Sequence, residues 1–330
     1  MLVSDIVYGD FEIDDDTTIA LMESKPMQRI RHVLSQGIPE EFDRQNPAHY
    51  SRYEHCVGVM LLLKKLGAST EEQLAGLLHD VSHTAFSHTV DMLFGSYADQ
   101  GLQDSLHKSY FEKGEIKDIL ERHGYDPMRI SDESLFGLLE RSIPELCADR
   151  IDYSLREAMH ANFNQAQVKG MLEHLVNHNG EIIFDSEKSA MDYGKLFIWV
   201  EHNYFGNKDD IARKYVFSAA LKRAMEQGAI SRNDLLYGSD DEVVEKMSAA
   251  NIGYVNEIFR ALRENDISVG EGSVVLKAKP RYVNPKFIKD GKVYSLMDAS
   301  EDYKAMVNAS IKEDTEGYKA SIRAGSILFS

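Results

Sequence analysis

His79 and Asp80 stand side by side where Leu74, Leu77, Leu78 and Val81 recur at the i, i+3, i+4, i+7 spacing of a buried helix face. Ser69-Thr70-Glu71-Glu72 gives that helix a capping-box start. An imidazole and a carboxylate buried together are costly unless both find polar partners. A divalent cation satisfies both, provided other segments bring further ligands to the same place. The chain is therefore constrained to a fold in which several helices converge on this pair.

Two further residues match that need. His55 lies in Ser51-Arg52-Tyr53-Glu54-His55, within a helix predicted over Tyr53–Leu66 and stopped by Gly67. Asp149 lies in Ala148-Asp149-Arg150-Ile151-Asp152-Tyr153, within a helix predicted over 145–160. Two imidazoles and two carboxylates suit Fe, Mn, Ni, Co or Zn better than Ca, which prefers an all-oxygen shell. The plainer reading of His79 is a hydrogen-bonded core histidine, since 12 histidines make some adjacency to Asp expected. Against it, His79, Asp80 and His83 crowd one end of an otherwise apolar helix, with His88 close behind.

Helical periodicity dominates from about 20 to 260, so the fold class is mainly α. Helices are predicted near 112–123, 132–141, 187–205, 209–227, 231–236 and 240–263, with a hairpin at Asn179-Gly180. Strand patterns arrive late, at Val274–Ala278 and Lys292–Leu296, around Pro280 and Pro285. The expected organisation is a helical body over 1–265, with its metal core at about 50–160, and a small α+β C-terminal lobe over 266–330.

With 37 Lys plus Arg against 54 Asp plus Glu, the formal charge is -17. Such a surface repels extended nucleic acid and anionic lipid, so any phosphate must be held by local cations. Arg52 and Arg150 flank the candidate ligands, either as phosphate forks or as salt-bridge partners inside the bundle. Asp149, Tyr153 and Glu157 fall at i, i+4, i+8, so one stripe offers a ligand, a ring for sugar stacking and a hydroxyl acceptor. The longest apolar run, Val57–Leu63, is too short to cross a bilayer, and the start of the chain has no basic leader. A cytoplasmic protein with Cys56 and Cys147 as free buried thiols is expected.

Arg52-Tyr53-Glu54-His55, Gly58-Val59, the run Leu77-Leu78-His79-Asp80-Val81-Ser82-His83-Thr84-Ala85-Phe86-Ser87-His88, and Asp149-Arg150-Ile151-Asp152-Tyr153 together resemble the HD-domain phosphohydrolases. Pro26–Arg31 ahead of Gln36-Gly37, and a late strand Lys279-Pro280-Arg281-Tyr282-Val283, are similar to the branch of deoxynucleoside triphosphate triphosphohydrolases. The resemblance implies an HD-domain helical bundle in which His55, His79, Asp80 and Asp149 hold one divalent transition metal, with Mg accompanying the substrate phosphates. It implies a catalytic group of His83, His107 and Asp91, the carboxylate orienting an imidazole; Asp91 falls two turns beyond His83 if the chain stays helical. Arg52, His88, Arg150, Tyr153, Tyr215 and Gln36 become substrate contacts, the substrate a small nucleotide, and the assembly a homo-oligomer.

The pattern departs from that branch in places. Ser35-Gln36-Gly37 replaces a Gln-Leu-Gly that discriminates sugars, Asn207 stands where an arginine is expected, and Lys108 follows His107 where dGTP-cleaving members often have Glu. His107 also reads as a surface residue beside Lys108. Three function classes follow: a triphosphohydrolase or nucleotide phosphatase, an HD phosphodiesterase, and a nucleotide sensor without turnover. The phosphodiesterase type usually carries His-Asp-x-Gly-Lys, whereas this chain has Val81-Ser82-His83 after the pair.

Overall fold

The computed structural model describes residues 1–94 and 102–330. Ser51 and Glu54 cap each other reciprocally to start the helix Arg52–Lys65, and Ser69 caps the helix Thr70–Leu78. These two pack together, and the helix Ala148–His160 packs on the first. Gly76 sits where the first two helices meet, since a Cβ there would collide with Leu63 and crowd Val59 at 3.2 Å. With the helix Glu187–Val200 they enclose the larger hydrophobic core.

A second core lies under the helices Lys208–Glu226 and Gly253–Arg263 and an antiparallel sheet of Ile267–Leu276, Tyr318–Ala324 and Ile327–Phe329. A four-stranded sheet runs in the order Leu175–His178, Glu181–Phe184, Lys286–Lys289, Lys292–Ser295, and its central pair is parallel. The strands after residue 265 give the expected small sheet-containing C-terminal region, one set pairing with residues 181–184 and the other covering the second core. Lys279–Val283 is not a strand; it runs irregularly between two strands. An N-terminal hairpin, Leu2–Asp5 with Gly9–Glu12, and the helix Glu301–Glu316 carried no clear sequence signal.

Three predicted helices differ. The helix carrying the His-Asp pair ends at Leu78, and a turn takes over, closed by Val81 N–H to Leu78 O at 3.1 Å and His83 N–H to Asp80 O at 3.0 Å. Phe86 and Ser87 then take left-handed backbone angles, φ 61° and 45°, before the short helix Thr89–Phe94. Residues 132–141 hold only a single 3₁₀ turn, Glu133–Leu135, because the buried Glu72 carboxylate accepts the N–H groups of Leu138 and Leu139 at 2.7 and 3.1 Å. The span 240–263 divides into Asp240–Ala249 and Gly253–Arg263, with Asn251 at φ 49° between them. Among the described residues no helix is long and apolar enough to cross a membrane.

Candidate metal centre and its cavity

The turn after Leu78 projects His79 and Asp80 toward the first turn of the 52–65 helix, which carries His55, and the first turn of the 148–160 helix, which carries Asp149. His55 Nε2 lies 3.3 Å from His79 Nε2, 2.9 Å from Asp149 Oδ1 and 3.9 Å from Asp80 Oδ2. His79 Nε2 lies 3.6 Å from Asp149 Oδ1 and 3.7 Å from Asp80 Oδ1. Ligand bonds of about 2.0–2.2 Å set donor atoms roughly 3–4 Å apart, so these spacings fit one cation. The other ring nitrogens are already committed. His79 Nδ1–H donates to Gly76 O at 2.8 Å and His55 Nδ1–H to Asp152 Oδ2 at 2.7 Å, which leaves both Nε2 lone pairs for a metal. The donor set therefore suits a divalent transition ion.

Electrostatics agree with that assignment. Burial works against the Asp80 carboxylate, but His83, Arg52 and His79 outweigh it and hold Asp80 well below the ordinary carboxylate range. Asp149 is likewise held low against burial, by the His55 and His79 imidazoles beside it. Both carboxylates are therefore ionised at neutral pH, as candidate ligands of a cation need to be.

The centre opens into a cavity of about 380 Å³. Its lining includes Ser35, Gln36, Tyr50, Tyr153 and Phe205, the carboxylates Glu133 and Glu140, and the cations Lys214, Lys279 and Arg281. Arg281 lies over the Phe205 ring at 5.1 Å, and Lys214 Nζ is 2.5 Å from Asp210. Phe205 sits in a π-helical turn, Glu201–Phe205, that continues the 187–200 helix.

The other expected site residues divide. His83 is buried, with its Nε2 3.3 Å from Asp80 Oδ1; burial and Arg52 bring its pKa down to about 4. Asp91 does not hold His83. The left-handed pair Phe86-Ser87 turns the chain so that Asp91 Oδ2 meets His88 Nδ1 at 3.0 Å, and His88 lines the cavity. His107 is buried rather than on the surface, 3.7 Å from Glu133, and burial together with His79 lowers it to about 4. It stands behind Glu133, which itself faces the cavity.

Arg52 lines the cavity but is clamped by Asp80 at 2.6 Å and Ser87 Oγ at 3.0 Å. Arg150 is held by Glu145 O at 2.7 Å, Cys147 Sγ at 3.0 Å and Arg141 O at 3.2 Å, so bonds within the bundle take most of its fork. Tyr153 lines the cavity against Phe205. Tyr215 does not belong to the lining; its ring packs on Phe329 at 5.7 Å, and the helix turns Lys214 to the cavity instead. Gln36 faces the cavity and its Nε2–H donates to Glu157 at 2.6 and 2.8 Å, which occupies the carboxylate expected to accept a sugar hydroxyl. Lys214, Lys279 and Asp152 were not foreseen in these roles, although Asp152 lies in the motif that contains Asp149.

An HD domain profile matches residues 52–157, the stretch that carries all four candidate ligands. The uncharacterized protein YdhJ of Bacillus subtilis is 36% identical over 325 residues, covering 96% of this chain and 98% of that protein. The metal-dependent phosphohydrolase cns2 of Cordyceps militaris is 36% identical over 160 residues, 48% of this chain and 45% of the fungal protein. A hypothetical protein of Aquifex aeolicus shares the fold at TM-score 0.60 and 18% identity, covering 98% of this chain and 96% of that one. A phosphohydrolase of Bacteroides thetaiotaomicron shares it at TM-score 0.59 and 16% identity, covering 91% and 94%. With a relative matched over nearly its whole length and the HD profile lying on the ligand-bearing helices, the chain belongs to the HD-domain superfamily of metal-dependent phosphohydrolases.

Proposed function

We propose that this enzyme is a (deoxy)nucleoside triphosphate triphosphohydrolase, cleaving a nucleotide between sugar and phosphate chain. The observation that carries the reading is the set of cations that lines the cavity: Lys214, Lys279 and Arg281, with Arg52 beside the candidate metal centre, in a chain of net charge -17. Such a concentration of cation fits a polyphosphate better than a single phosphate group. Tyr153 and Phe205 offer aromatic faces for sugar or base, and the cavity has the volume of an ordinary small-ligand site.

When bound, the cation polarises a phosphoryl oxygen and makes water a competent nucleophile near neutral pH. His88 supplies the proton traffic. Its Nδ1–H donates to Asp91, so its Nε2 lone pair accepts a proton from the attacking water, and the carboxylate stabilises the imidazolium that results. Burial, then His83, Arg52 and Arg281, hold His88 well below the usual imidazole value, so the ring is neutral and able to act as a base. The bond from phosphorus to the sugar oxygen breaks, and the imidazolium returns the proton to that oxygen. His83 lies against Asp80 and keeps that carboxylate in place. Lys214, Lys279 and Arg281 hold the departing phosphate chain.

Purified protein reconstituted with Mn²⁺ or Fe²⁺ and offered the ribo- and deoxyribonucleoside triphosphates, with products read by ³¹P NMR, tests this. Inorganic triphosphate and free nucleoside are expected. Orthophosphate as the first product would make the enzyme a phosphatase, and inertness toward every nucleotide would overturn the reading.

A further inference from the structure

His55 is held from behind by a buried chain of charges that ends on the N-terminal hairpin. Its Nδ1–H donates to Asp152 Oδ2 at 2.7 Å. Asp152 accepts from Arg156 Nε and Nη2, both at 3.0 Å, and Arg156 Nη2 also donates to Asp5 Oδ2 at 2.8 Å. The side chains of His55, Asp152, Arg156 and Asp5 are 1, 0, 1 and 5% exposed, so none of these charges is screened by water. Space has been kept for the chain: a Cβ on Gly58, one turn after His55, would collide with both Arg156 and Asp152.

Asp5 is oriented by its own turn. Its Oδ1 accepts Val7 N–H at 2.8 Å and Tyr8 N–H at 3.0 Å, which aims Oδ2 at the guanidinium. Arg156 thus stands between two carboxylates, and only one of them serves the metal ligand. Without the Asp5 charge, the whole attraction of Arg156 falls on Asp152. Asp152 then gives less negative potential to the imidazole, and His55 becomes a weaker donor.

We propose that Asp5 is a positioning residue of the metal centre, acting through Arg156 and Asp152 to set the orientation and basicity of His55, so that the N-terminal hairpin governs how tightly the cation is held. The proposal rests on His55 being a metal ligand and is independent of the substrate.

The full chain is stripped with a chelator and titrated with Mn²⁺, the free ion being read by EPR, while thermal unfolding of the metal-free protein reports the fold. Asp5→Asn keeps the acceptor for Val7 and Tyr8 and replaces the carboxylate oxygen facing Arg156 with a neutral amide that cannot accept from it. It is expected to raise the Mn²⁺ dissociation constant on the order of tenfold, and Asp152→Asn by about 10- to 100-fold, the range for outer partners of a ligating histidine. In the Asp152→Asn background Asp5→Asn should add almost nothing. Arg156→Lys, which keeps the charge but loses the fork, should weaken binding too and serves if Asp5→Asn does not fold. An unchanged dissociation constant in a folded Asp5→Asn protein, or an effect that persists in full without Asp152, overturns the proposal. Failure of the wild-type chain to bind Mn²⁺ would instead remove the metal centre on which it stands.

Discussion

Nδ1 of His88 lies 3.0 Å from a carboxylate oxygen of Asp91, and the His88 ring meets His83 edge-on at 5.0 Å between centroids. One imidazole is therefore oriented by the Asp91 carboxylate, while its neighbour lies against Asp80. Proton transfer is expected to run through His88. His88→Ala should keep the metal and lose about 10²- to 10⁴-fold in kcat. Because the ring titrates below its ordinary value of about 6.5, the acid limb of kcat/KM, measured with saturating metal, should lie below that pH. Full activity in a metal-replete His88→Ala protein would remove the residue from the mechanism.

The four ligand atoms predict a second result. Wild-type protein should carry about one transition ion per chain, and His79→Ala or Asp80→Ala should lose metal and turnover together. Ligand binding to the native state alone stabilises it by about 2.7 kcal/mol at 100 times the dissociation constant. Chelation should therefore lower the unfolding temperature of wild type and leave that of Asp80→Ala nearly unmoved. Equal metal content in wild type and Asp80→Ala by elemental analysis contradicts the assignment.

Arg281 and Arg150 separate substrate binding from architecture. Arg281 is one of the cations that line the cavity, so Arg281→Ala should raise KM on the order of tenfold or more, the worth of one charge-assisted hydrogen bond, with metal content unchanged. Arg150 donates to two backbone carbonyls of the segment that precedes its helix, so Arg150→Ala should cost about 1–3 kcal/mol of stability. Urea melts and Michaelis constants on the two variants check this. An unchanged KM for Arg281→Ala would remove this cation from substrate binding.

The candidate metal centre was legible because such chemistry needs rare residue types at helix ends, and His55, His79, Asp80 and Asp149 stand out that way. What surrounds it depended on tertiary contacts. Phe86 and Ser87 carry no glycine or asparagine signal for left-handed backbone, yet Phe86 N–H is fixed by the buried Asp240 at 2.7 Å, and this bend gives Asp91 to His88 rather than His83. The choice of Lys214 over Tyr215 turned on the phase of a helix in which Val216, Phe217, Ala220 and Leu221 are all buried, so hydrophobicity alone did not mark the cavity side. The helix expected at 132–141 was lost to a single distant acceptor, Glu72.

Glu157 supplies a pH-dependent test of the cavity floor. It is fully buried, and burial pushes its pKa up to about 8, although the neighbouring Tyr50 and the hydrogen bonds from Gln36 pull the other way. A folded value above the unfolded one, about 4.3, means that the native state holds the proton through the neutral range. The stability this group contributes is full below about pH 4 and is lost as the pH rises through about 8. Glu157→Gln copies the protonated acid: its carbonyl still accepts from Gln36, and its amide replaces the acid O–H. The variant should show no such loss, so relative to wild type it should gain stability steadily from pH 5 to pH 8.5. Denaturant melts of both proteins at pH 5, 7 and 8.5 measure the difference. A gap that stays constant, or that moves in favour of wild type as the pH rises, would mean that Glu157 is ionised in the folded enzyme and that Gln36 faces a carboxylate at the cavity floor.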